Sequence, residues 1–228
     1  MIRQLALHIP HRAAMDAEDF LVAPSNAEAV AWIDRWPDWP APALILHGPS
    51  GCGKTHLLQV WRARAGAPAW PAAALGDADP PGLLGRGNAC ALDDVDEGVD
   101  ETALLHLYNM VAERRGTLLL TGASPPAHWK VSLPDLRSRL LAAAVTSVEP
   151  PDESLMVALL VKLFADRQIQ VRQDVVDYLV VRLERSFAAV RRTVEEIDRA
   201  ALAARRPITV PLVRSVILGS GGFPGSET

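Results

Sequence analysis

With 228 residues, of which 49% are hydrophobic and 22% charged, the chain can bury a substantial core and is no disordered polymer. Its longest apolar runs fall far short of the roughly 18 residues of a membrane-crossing helix, and its start lacks the apolar stretch and cleavage site of a secretory leader, so a cytoplasmic location and no membrane partner are expected. A formal net charge of −4 argues against strong direct DNA binding by electrostatics alone, and two cysteines, Cys52 and Cys90, are too few for a disulfide framework or a Cys-rich metal site.

In chain order, the first short apolar segment is Gln4-Leu5-Ala6-Leu7-His8-Ile9, whose pattern alone reads as an ordinary strand. Trp32, Trp36 and Trp39 recur every three to four residues and predict a hydrophobic face on or after a helix. Apolar runs from Ala43 to His47, Ala89 to Leu92, Thr117 to Thr121 and Ala144 to Val148 read as buried strands alternating with helical patterns, which predicts an α/β fold with a parallel sheet sandwiched by helices. A further strand is expected near Ala69 to Leu75. Leu104, Leu105, Tyr108, Val111 and Ala112 predict a crossover helix, with Gly116 as its stop.

Beyond Pro150 and Pro151 the pattern is helical throughout, with helices expected at Glu153 to Arg167, Asp174 to Leu183, Phe187 to Arg205 and Pro211 to Leu218. Asp152, Gln173, Ser186 and Thr209 or Val210 stand where these helices begin. The reading is therefore an N-terminal arm over 1–17, a sheet domain over 18–150, a small all-helical domain over 151–218 and a frayed tail over 219–228.

The strongest chemical signal is Gly48-Pro49-Ser50-Gly51-Cys52-Gly53-Lys54-Thr55, which matches the phosphate-cradling pattern G-x-x-x-x-G-K-S/T and lies between a strand-like run and an apolar helix start. Backbone N–H groups of such a loop wrap phosphates, Lys54 reaches the outer phosphates and the Thr55 hydroxyl ligates Mg²⁺. Residues 49 to 55 and His56 are the expected nucleotide contacts, for ADP or ATP. Asp93 and Asp94 close the run Ala89-Cys90-Ala91-Leu92, where a second strand should present acids to the same ligand. Asp93 would hold Mg²⁺, and Asp94 would polarise the attacking water. The acidic run continues through Asp96 and Glu97, and a solvated acidic turn is the alternative reading. The six histidines show no metal-ligand spacing.

Several segments together resemble AAA+ ATPases of the DnaA replication-initiator group, and within it the Hda-type regulators. Phe20-Leu-Val-Ala-Pro24-Ser-Asn26 is similar to the box that places adenine, which assigns Pro24 and Asn26 to the cofactor. Thr121-Gly-Ala-Ser-Pro-Pro126 stands where the sensor-1 segment does, and Leu133-Pro-Asp-Leu-Arg-Ser-Arg139-Leu140 is similar to the segment carrying the arginine finger, at Arg139. Ala200 to Ile217 resembles the end of the lid. The resemblance implies an AAA+ P-loop domain followed by a helical lid. It also implies a sliding-clamp partner held through Gln4, Leu5, Leu7 and Ile9, and a DnaA initiator whose bound ATP is hydrolysed with the help of Arg139. Initiators carry a helix-turn-helix domain after the lid, and with the chain ending at Thr228 no duplex reader is expected.

The polar sensor-1 residue falls on Ala123 and the sensor-2 arginine on Ala188, which implies weak or no intrinsic ATPase activity unless Arg191 or Arg192 substitutes. A homo-oligomer is compatible with the family. A helicase-loader or transposition-helper ATPase, and a nucleotide-gated adaptor without a hydrolytic role, remain alternatives on the residues alone.

Overall fold

The computed structural model describes residues 11–12, 20–76, 80–84 and 88–219. Gln4, Leu5, Leu7 and Ile9 lie outside the described residues, as does the tail from residue 220. Two short strands, β1 (His11–Arg12) and β2 (Phe20–Leu21), precede helix α1 (Ala27–Asp34). There follow β3 (Ala43–His47), α2 (Lys54–Ala65), β4 (Ala69–Pro71), the short α3 (Pro80–Leu83), β5 (Ala89–Asp93), α4 (Glu101–Glu113), β6 (Thr117–Gly122), α5 (Pro134–Ala142) and β7 (Ala144–Ser147). Strands β3 to β7 form one parallel sheet in the order β4-β5-β6-β3-β7, so the expected α/β class is the one observed.

The central strands read as unbroken apolar runs because helices cover both faces of the sheet. On one face Ala43, Ile45, Cys90, Leu92, Leu118 and Leu120 pack against Leu104, Leu107, Tyr108 and Val111 of α4 and Leu136 and Leu140 of α5. The helical residues recur at three to four positions, the spacing of one helix face. Burial there pushes the Cys90 thiol up to about 12, so it is a packing group rather than a reactive one. Elsewhere in the sheet domain the fully buried Trp61 of α2 stacks on Trp39 with ring centroids 5.7 Å apart and meets Trp36 edge-on at 6.2 Å. Of the three spaced tryptophans only Trp39 is core; Trp32 and Trp36 are half-buried. The indole of Trp36 donates to the Thr117 hydroxyl at 2.9 Å.

The strand expected from Ala69 to Leu75 is only three residues long, and Ala72–Ala74 forms a 3₁₀ turn. Pro71 lacks an N–H for a ladder and is tolerated here because β4 is an edge strand.

The chain divides into two compact units after Pro150, and Leu21–Ala23 belong with the helical one. That unit comprises α6 (Glu153–Asp166), α7 (Gln173–Val180), α8 (Phe187–Ala204) and α9 (Val210–Gly219). Its core gathers Leu155, Leu160, Phe164, Val175, Leu179, Val190, Val194, Ile197 and Val213, with Leu21 and Ala23. Asp152 accepts from the Leu155 amide at 2.8 Å and Ser186 from the Ala189 amide at 3.1 Å, as their positions before α6 and α8 predict. Each such cap stabilises by about 1 kcal/mol. Gln173 is not a cap: it is the first residue of α7, and its amide donates to Asp177 one turn on.

Helix ends also differ from the reading of Gly116 as a stop. The left-handed residue after α4 is Arg115, at φ 52°. Its amide donates to the Ala112 carbonyl and that of Gly116 to the Val111 carbonyl, a Schellman pair. Gly116 is required for another reason: a Cβ there would lie 1.9 Å from the Asn88 carbonyl oxygen, where the chain enters β5. Opposite outcomes are therefore expected in denaturant unfolding. Gly116→Ala should destabilise by about 1–3 kcal/mol through forced backbone displacement, whereas Arg115→Gly, relieving a left-handed side chain, should stabilise by about 1 kcal/mol.

Candidate functional site

β3 delivers the chain to its carboxyl end between β6 and β7, and residues 48–53 turn there into α2. This is where open parallel sheets bind ligands. The root of the turn is pinned on both sides: the Gly48 amide donates to the Gly122 carbonyl at 3.2 Å, and the Val148 amide donates to the His47 carbonyl at 2.7 Å. Approach is so close that a Cβ on Gly48 would sit 2.1 Å from the Val148 carbonyl oxygen. Gly53 is the N-cap of α2 at φ 108° and, as glycine, has no side chain to cap the helix's first amides. Those N–H groups, with the positive end of the helix dipole, suit an anion.

Within this loop Pro49, Ser50 and Thr55 are exposed, Gly51, Gly53 and His56 half-buried, and Cys52 buried. Burial pushes the Cys52 thiol up, opposed by the nearby Lys54 charge. Lys54 is only 7% exposed, and its ammonium donates to the carbonyls of Gly48 at 2.8 Å and Pro49 at 3.1 Å, which holds the charge against the loop. His47, at the end of β3, is held below its usual range by burial, against the pull of Glu149 and with the push of Lys54. Asn26 is buried and Pro24 exposed just before α1, and the Ser25 carbonyl between them accepts from the Glu149 amide at 2.9 Å.

Asp93 ends β5, beside β6. The fully buried Thr121 hydroxyl donates to the Asp93 carboxylate and accepts from the Asp94 amide at 2.9 Å. Asp94 itself adopts a left-handed conformation, φ 58°. Partial desolvation and the negative charges of Asp93, Glu97 and Asp96 raise its pKa, with Lys54 opposing. Asp93, Asp94 and Glu97 line a cleft of about 360 Å³ with Leu58 and Gln59 of α2 and residues 69–73. Thr55 on the first turn of α2 and Asp93 offer hard oxygen donors, the kind Mg²⁺ takes while keeping water and phosphate for its remaining positions. Among the described residues no group of three or more His, Cys, Asp or Glu could hold a metal by itself.

Asp96 is not a solvated member of an acidic turn. Its carboxylate accepts from the Ala123 amide at 3.0 and 2.9 Å, the Ser124 amide at 3.1 Å and the Ser124 hydroxyl at 3.2 Å. Ala123 thus contributes its amide alone, and the roles of Thr121 and Asp96 have no local sequence signal because they depend on β5 and β6 being neighbours. Arg139 lies in the last turn of α5, bonded to Asp135. Ala188, Arg191 and Arg192 are exposed on α8 of the helical unit.

A family model described as the Hda lid domain matches residues 152–217, nearly the whole helical unit. Domain III of the Thermotoga maritima replication initiation protein DnaA superposes with a TM-score of 0.74 at 18% identity, covering 88% of this chain and 94% of that one. Residues 152–217 thus match the Hda lid, and the chain as a whole shares the fold of DnaA domain III. The AMPPCP-bound DnaA from Aquifex aeolicus matches with a TM-score of 0.63 at 19% identity over 78% of this chain, which spans 63% of that protein's length. The Holliday junction branch migration motor RuvB of T. maritima gives 0.63 at 16% identity over 78% of this chain and 61% of that one, and at such identities the likeness is one of fold. Among the described residues no helix is long and apolar enough to cross a membrane.

The acidic end of β5 has a measurable cost. Because the folded-state pKa of Asp94 lies above its ordinary value, ionisation opposes folding at neutral pH, and that opposition vanishes once the group is protonated. Asp94→Asn, which keeps a residue tolerant of the left-handed region, should raise the melting temperature at pH 7, and the gain should shrink as the pH falls towards the carboxylate range. Melting curves at pH 7 and pH 4 test this.

Proposed function

We propose that this protein is a cytoplasmic regulator of replication initiation: it binds ADP or ATP, is tethered to the polymerase sliding clamp by its N-terminal peptide, and promotes hydrolysis of ATP held by a DnaA initiator. The observation that carries the reading is the Hda lid match over 152–217 behind a sheet domain bearing the Gly48–Thr55 loop. The nucleotide would be held by the amides of residues 49–55, Lys54 and His56, with adenine near Pro24 and Asn26. Mg²⁺, held by Thr55 and Asp93, would screen phosphate charge. Asp94 would orient water. Arg139 would enter a neighbouring initiator's site, where a finger supplied in trans contributes roughly 10³ to 10⁵ in rate. A homo-oligomer is compatible with this reading.

Three measurements bear on the parts separately. Calorimetry of Lys54→Ala should show ADP and ATP affinity abolished or severely reduced, because the cation facing the outer phosphates is gone; unchanged affinity would refute the loop assignment. Gln4→Ala with Leu7→Ala should remove clamp binding in a pull-down while leaving nucleotide affinity and melting temperature intact, since an extended peptide concentrates its binding energy in a few anchors. Arg139→Ala should keep fold, nucleotide and clamp binding but lose stimulation of initiator-bound ATP turnover on DNA-loaded clamp. Equal stimulation by wild type and variant would sink the finger role and favour the adaptor alternative.

A further inference from the structure

Arg139 is held by two different groups from two elements. Its Nε donates to Asp135 Oδ1 at 3.1 Å and its Nη2 to Asp135 Oδ2 at 3.2 Å, a fork-to-fork contact one turn apart on α5. Its guanidinium carbon also lies 5.6 Å from the ring centroid of Tyr108, which projects from α4 and is itself buried. Helix α4 fixes α5 at a second point, seven residues earlier on the same face: the Glu101 carboxylate accepts from the Ser132 amide at 2.9 and 3.0 Å and the Leu133 amide at 2.7 Å, and these bonds lower its pKa.

The pair is ill suited to a purely stabilising role. Asp135 is 59% exposed and Arg139 34%, and exposed pairs of this kind add little to stability. What the arrangement does is remove freedom from a long side chain. Arginine has five N–H donors; Asp135 engages two along one edge, which leaves three, on Nη1 and Nη2, while the Tyr108 ring lies beside the guanidinium.

We propose that Asp135 and Tyr108 are positioning residues that orient Arg139 so that its remaining donors meet an anionic phosphate on a partner protein. The proposal rests on the finger reading above and adds that the finger is preset by its own subunit. It differs from a restraint, in which Asp135 would compete with the phosphate and have to release the arginine first.

The test uses the full chain, an ATP-loaded DnaA-type initiator and DNA-loaded clamp, with stimulation measured against concentration for Asp135→Asn, Tyr108→Leu, Tyr108→Phe and Arg139→Ala. Asp135→Asn and Tyr108→Leu should each lower maximal stimulation by about tenfold, within the range one oriented charge supplies, without moving the half-saturating concentration. Tyr108→Phe, which keeps the ring face, should stay within about twofold of wild type. A structural effect would instead lower the melting temperature and the active fraction together; Asp135, being exposed, keeps the test valid if Tyr108→Leu folds poorly. Full stimulation by Asp135→Asn alongside loss in Arg139→Ala would overturn the positioning role and leave the finger standing. Increased stimulation by Asp135→Asn would overturn it in favour of a restraint. Full stimulation by Arg139→Ala would overturn both.

Discussion

The Thr121 hydroxyl, wholly buried at the end of β6, is shared between the Asp93 carboxylate and the Asp94 amide, and the layout of the acidic side of the site depends on it. One hydroxyl that serves both the carboxylate and the amide fixes where β5 ends and the turn begins. The turn then carries Asp96 back across to the amides of Ala123 and Ser124. Two neighbouring strand ends are thereby bound by side chains reaching in opposite directions, and the indole of Trp129 adds a further bond to the Ser124 carbonyl at 2.7 Å.

The phosphate-type loop is fixed by a different device. Gly48 is pressed against the Val148 carbonyl and bonded to Gly122, so the loop's root is set by the strands on both sides of β3. Lys54 completes the loop by bonding two of its carbonyls. Backbone geometry and one buried cation therefore shape a loop suited to an anion before any anion contributes, and such preorganisation lowers the cost of binding.

The helical unit follows ordinary amphipathic logic. Its apolar faces meet in one core that takes in Leu21 and Ala23 from far upstream in sequence, and caps from Asp152 and Ser186 begin two of its helices. Arg167 lies 3.7 Å from both Glu195 and Asp198, linking the end of α6 to α8 at a partly exposed position where such pairs contribute little.

By itself the sequence determined what is local. Strand runs such as 43–47, the caps Asp152 and Ser186 and the 48–55 loop signature all follow from residue spacing and backbone preferences that act within a few positions, and the change of period at Pro150 lies in the sequence too. Only the tertiary structure decided what depends on neighbours distant in the chain. Asp96 reads as a solvated acid until β6 brings the Ala123 amide to it, and Gly116 reads as a helix stop until the Asn88 carbonyl shows that no Cβ fits. Arg139 is one basic residue among many until Tyr108 is placed beneath it. In each case the partner lies between 27 and 31 residues away, beyond the reach of periodicity or propensity, and only the pairing of strands and the packing of α5 on α4 bring the groups together.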